Sequence, residues 1–140
     1  MEQKEKVQYW LNMADYDLET AKAMQETKRY LYVGFMCHLV VEKALKAVIT
    51  EVTNEVPPKS HHLVELAETA KVQDKMSNEQ QSLLLTLNPL NIEARYSEYK
   101  DKIAQILTEE RCVMLIEETE EMLCWIKQQL SALPADTQTK

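Results

Sequence analysis

One glycine, Gly34, stands in a chain of 140 residues. Glycine takes the tight turns of β-hairpins at the least steric cost. With that one glycine and four prolines, a β-rich fold full of tight turns is excluded. Ala, Leu, Glu, Lys, Gln and Met dominate the rest, and all are good helix formers. The chain is therefore expected to be all-α. Its length suits one domain with a sizeable core.

The apolar pattern predicts an antiparallel helical bundle of four to five helices. A first helix is expected over about Glu5 to Gln25, with Val7, Trp10, Leu11, Ala14, Leu18 and Ala21 recurring at steps of three and four. A second runs from Tyr30 to about Glu51. It is apolar nearly all round, so it is expected at the centre. Pro57 and Pro58 break the chain after it. Ser60 is the expected cap of a short third helix through Leu63, Leu66, Ala67 and Ala70. Ser77 with Gln80 has the capping-box spacing and opens a fourth helix through Leu83, Leu84, Leu87 and Leu90, with Pro89 near its end. "NIEARYSEYK" and "DKIAQIL" read as a connection. Thr108, followed by Glu109 and Glu110, caps a last helix that runs to about Leu130. Residues 1–132 make the domain, and residues 133–140 read as a flexible C-terminal tail.

The formal net charge is −7. That weighs against DNA or broad nucleic-acid binding by bulk charge and leaves room for a local basic groove. Three cysteines without a CxxC pair read as reduced, mostly buried thiols. No apolar run approaches the roughly 20 residues that span a bilayer, and "MEQKEKVQYW" lacks the apolar centre of a signal peptide. A cytoplasmic protein without a membrane segment is expected. A single glycine excludes Gly-rich phosphate loops. Three histidines without HxxxH or Cys–His spacing give no metal site, and no cofactor is expected.

The second helix carries an ordered polar row: Gly34, His38, Glu42 and Lys46 fall at steps of four. Such a row stays on one side of the helix, drifting by roughly 40° per step. His38–Glu42 and Glu42–Lys46 can pair directly, and Gly34 lets another backbone come close. The row is either a self-paired polar seam or a small ligand or acid–base site. His61 and His62 follow the Pro-Pro break, where an imidazole can bond nearby backbone at a helix start. Arg95 lies in a stretch with two tyrosines and no glycine. Its planar fork suits a structural clamp on carbonyls or carboxylates, and equally a phosphate.

"DLETA", "HLVVEKALKA", "PPKSHHLVEL", "IEARY" and "LTEE…LCWI" occur in that order between about Leu11 and Ile126. Together they resemble the HEPN domain family, small helical domains often found beside minimal nucleotidyltransferases. The resemblance implies a bundle of four to five helices, a homodimer, and a role in nucleotide or RNA handling. Some members are metal-independent ribonucleases, with an arginine and a histidine four to six residues apart at the dimer interface. Arg95 matches that arginine. Lys100, Asp101 and Lys102 stand where the histidine would fall, and Arg111 has no histidine after it either. Lysine at its ordinary pKa is a poor base at neutral pH. "ARYSEY" is instead similar to the "ARYP"-like segment of a non-nuclease subset, with Ser97 where proline is frequent. His61 matches the family's histidine before the third helix.

The resulting expectation is a non-catalytic module that binds a nucleotide, an RNA or a partner protein, as a homodimer. A minimal nucleotidyltransferase in a toxin–antitoxin-like pair is the expected partner. Arg95, Tyr96, His38, Glu42 and Lys46 are the candidate binding residues. One alternative is a metal-independent endoribonuclease that uses Arg95 with a histidine from elsewhere, such as His38. Another is a structural or regulatory dimer without a ligand.

Overall fold

A computed structural model describes residues 2–91 and 97–133, with the backbone alone for 97–100. Six α-helices lie among the described residues: α1 Gln3–Glu26, α2 Tyr30–Thr53, α3 Leu63–Thr69, α4 Asn78–Leu87, α5 Ser97–Ile106 and α6 Glu109–Ser131. They contain no strand. The all-α expectation holds.

A three-residue turn joins α1 to α2, with Lys28 at φ 61°. Asn54, which ends α2, and Lys71, which follows α3, also take positive φ. In a chain with one glycine, the left-handed positions fall to lysine and asparagine. Asparagine tolerates that conformation better than other side chains do. The start of α1 is tied to the end of α2, because Gln3 Nε2 donates to the carbonyls of Thr50 and Glu51 at 3.0 and 2.9 Å. The two helices therefore run antiparallel. α6 also runs against α1: Gln25 meets the Glu109 carbonyl at one end, and Lys127 pairs with Asp15 at 2.8 Å towards the other.

α2 is the central helix, packed against α1, α3, α4, α5 and α6. Val33, Cys37, Val40, Val41, Ala44 and Leu45 have no solvent exposure. Burying Leu45 alone contributes about 2–3 kcal/mol. α6 adds Cys112, Leu115, Ile116, Met122, Leu123 and Ile126 to the same core. The wide apolar surface of α2 is thus covered inside the chain by the other described helices.

Local expectations meet the structure with mixed outcomes. The capping box is present: Gln80 N donates to Ser77 Oγ at 3.1 Å, and Ser77 N to Gln80 Oε1 at 2.9 Å. Thr108 caps α6 by accepting from Arg111 N. Ser60, however, is not the cap of α3. His62 is, its Nδ1 accepting from Glu65 N at 3.3 Å, while Ser60 Oγ accepts from His62 N one step earlier. Pro89 stops α4: the helix ends at Leu87, and a 3₁₀ turn follows over Asn88–Leu90. Gly34 admits no neighbouring backbone. A Cβ there would lie 2.9 Å from Cδ1 of both Leu90 and Leu107, so the space is filled by two leucine side chains. α5 is a helix where a connection was expected, and it buries Ile103.

Candidate functional site

The polar row of α2 is buried in full. His38 is 0%, Glu42 4% and Lys46 6% exposed. Buried charges persist when paired and hydrogen-bonded, and here the pairing is reciprocal. Lys46 Nζ donates to Glu42 Oε2 at 3.0 Å and lies 5.8 Å from the Trp10 ring centroid. The other carboxylate oxygen, Oε1, accepts from His61 Nδ1 at 2.9 Å. The His38 ring lies beneath, with Nε2 2.9 Å from the His61 carbonyl.

These contacts fix the protons. A carbonyl can only accept, so His38 carries its hydrogen on Nε2. Its Nδ1 is then a lone pair without a hydrogen-bond partner among the described residues, 3.5 Å from Glu42 Oε1. Burial pushes the His38 pKa down to about 4, although Glu42 and the His61 carbonyl pull it up. His38 is a neutral imidazole at pH 7. It holds the segment after the Pro-Pro break against α2 and does not reach solvent.

His61 is the outward end of the same network. Its Nδ1–H is fixed on Glu42, and its side chain is 51% exposed. In the neutral form its Nε2 keeps a free lone pair. It opens on a cleft of about 520 Å³ at the head of α3, lined by Lys59, Ser60, His61, His62, Asn88, Pro89 and Asn91. Among the described residues that lining holds one lysine, two imidazoles, a hydroxyl and two amides, and no carboxylate. In a chain of net charge −7, such a lining is a local reversal of sign. Asn91 is 2% exposed, and its Oδ1 has no partner among the described residues. Asn88 Oδ1 accepts from Leu63 N at 2.8 Å, which fixes the cleft wall to the start of α3.

His38, Glu42 and Lys46 are therefore brought together as one network, with none of them open to a ligand. Arg95 and Tyr96 lie outside the described residues. His61, His62 and Lys59 are the cleft residues that the sequence reading left out of the binding set. The signal was present: two histidines two residues beyond a Pro-Pro break, in the segment that follows the helix carrying Glu42. Their separation from Glu42, 19 residues for His61, hid it. Among the described residues no group of three or more His, Cys, Asp or Glu side chains is placed to hold a metal. No helix there is long and apolar enough to cross a membrane.

The HEPN domain model matches residues 7–129. Among solved structures, TT1696 from Thermus thermophilus superposes with a TM-score of 0.73 at 16% identity, covering 88% of this chain and 97% of that one. An archaeal HEPN homologue, ST0689, superposes with a TM-score of 0.66 at 20% identity, covering 89% and 97%. At such identities the likeness shows the fold alone. No curated protein matches the chain. The family match spans the core of the bundle, both partners of the Glu42–His61 contact and the whole cleft, and the chain belongs to the HEPN domain family.

Proposed function

We propose that this chain is a non-catalytic HEPN module that binds a nucleotide or an RNA strand through its phosphate. The observation that carries this reading is the cleft at the head of α3, with Lys59, His61 and His62 on its lining and no acid among its described residues. Family membership supports a nucleotide- or RNA-related role. The polar network behind the cleft is closed by its own pairing, which favours a scaffold over a proton shuttle. The segment that carries Arg95 follows directly on Asn91, itself part of the lining. Arg95 is assigned to the phosphate and Tyr96 to a base or ribose.

The test is titration of the purified protein with ATP and with a short single-stranded RNA at low salt, beside an RNA-cleavage assay in EDTA. Binding without cleavage is expected. Lys59→Ala and Arg95→Ala should each weaken binding about tenfold, as the loss of one charge-assisted hydrogen bond does. Cleavage lost in a folded Arg95→Ala variant would make the protein a ribonuclease instead. No binding of either probe would leave a structural dimer.

In the same reading the module acts as a homodimer, alongside a minimal nucleotidyltransferase in a toxin–antitoxin-like pair. Exposed Tyr9, Tyr16 and Tyr32 support a protein-facing surface, as does the groove of about 430 Å³ that Tyr32 shares with Met24 and Met36. Light scattering at micromolar concentration should give twice the 16.3 kDa chain mass. A monomer mass rejects the homodimer.

A further inference from the structure

Glu51, near the C-terminal end of α2, breaks the pairing rule that the rest of the buried charge obeys. Asp17 pairs with Lys43, and Glu42 with Lys46 and His61. Glu51 is 8% exposed, and its Oε2 is buried with no hydrogen-bond partner among the described residues. Burial pushes its pKa up. An unpartnered buried carboxylate oxygen is rare in folded proteins, because it forfeits hydration without recovering a bond.

Glu51 lines a cleft of about 610 Å³ at the far end of α3 from His61. That volume lies within the ordinary range of small-molecule sites. Val48 and Val52 of α2, Ala70 and Val72 after α3, and Leu133 after α6 supply apolar wall. Lys71 and Lys75, both exposed, supply two cations on the same lining. Neither lysine reaches the free Glu51 oxygen. The cleft thus offers an acid, an apolar wall and two separate cations.

We propose that this cleft binds a small zwitterion. Its cationic nitrogen head, an ammonium or guanidinium, donates to Glu51. A short hydrocarbon spacer lies on the valines, and a carboxylate or phosphate end meets Lys71 and Lys75. A guanidinium head brings several N–H donors on one planar group, so one of them can meet the carboxylate from the cleft side. The site does not depend on the nucleotide or RNA reading of the other cleft.

The probe is 4-guanidinobutanoate, followed by amide chemical shifts of the full chain at low salt. Butanoate and butylguanidine, which each lack one charge, are the controls. Saturable shifts at Val52, Lys71 and Val72 are expected, with each control at least about tenfold weaker. Glu51→Gln keeps the shape and removes the charge. It should raise Tm, because the burial cost of the carboxylate disappears, while weakening the probe at least about tenfold. A merely structural glutamate would give the first effect without the second. Lys71→Ala/Lys75→Ala changes exposed side chains only, so it tests the anionic end whatever Glu51→Gln does to folding, and it should weaken the probe several-fold. Absence of saturable shifts up to roughly 10 mM probe, or equal binding by wild type and Glu51→Gln, overturns the proposal.

Discussion

Glu42→Ala lowers the unfolding free energy by about 3–5 kcal/mol, the cost of leaving a buried charge without its partner. The reason lies less in the strength of the Glu42–Lys46 pair than in what remains. Lys46 is 6% exposed and loses its carboxylate. The Trp10 ring at 5.8 Å is too weak a substitute. His61 Nδ1 loses its acceptor in the same step, so its imidazole is unpinned at the cleft wall, although His38 still holds the His61 carbonyl. A second variant separates these effects. Glu42→Leu/Lys46→Leu removes both charges and refills the volume with apolar groups, and should recover most of the stability, since such replacements are often neutral or better. It should not recover phosphate binding, because His61 stays unanchored. Urea melts of wild type, single and double variants measure the first claim, and the ATP titration the second. A single variant that loses under about 1 kcal/mol would mean that Lys46 finds water and that the network is solvated.

That network also marks how far the sequence could be read. The row Gly34, His38, Glu42, Lys46 was legible because a helix repeats its face every three or four residues, and the Glu42–Lys46 bond follows from that spacing. The capping box and the Thr108 cap were legible for the same reason: each is complete within four residues. What crosses between elements was not. His61 reaches Glu42 only because the chain doubles back over the Pro-Pro break, and no local period encodes that return. Gly34 read as a site of backbone approach, but Leu90 and Leu107 fill it, from parts of the chain far along the sequence. α5 was missed because its apolar signal is thin. Ile103 is buried and Leu107 closes just beyond the helix, while Asp101, Lys102 and Ala104 are exposed. Serine outranks histidine as a cap in general, yet His62, not Ser60, is the residue that directly precedes α3. The part of the candidate site that rests on Arg95 and Tyr96 lies outside the described residues, so the resemblance of "IEARY" carries those two positions alone.

Acidification supplies the second large effect. His38 has its pKa pushed down to about 4 by burial, from an ordinary 6.5. Between those two values the unfolded chain binds a proton at this residue that the folded chain refuses. Stability therefore rises with pH across the window and is lost as pH falls through it. The lost stability reaches about 3 kcal/mol by pH 4, from a shift worth about 1.4 kcal/mol per unit. The surroundings explain why the fold resists the proton. The ring is fully buried, and the Lys46 ammonium opposes a second nearby cation. Glu42 and the His61 carbonyl favour it, but burial outweighs both, and Glu42 already serves Lys46 and His61. Glu51 works in the opposite direction. Its raised pKa makes the folded chain hold a proton longer, so its contribution falls as pH rises above the ordinary glutamate value, opposite in sign to that of His38. His38→Gln keeps an N–H donor for the His61 carbonyl and has nothing to titrate. At pH 7 it should cost about 1 kcal/mol, but the gap to wild type should close and then invert as pH falls to about 4. Urea melts of both proteins at half-unit steps of pH decide the matter. Parallel profiles would mean that His38 takes its proton as readily folded as unfolded, and that the buried row is held by something other than a neutral imidazole.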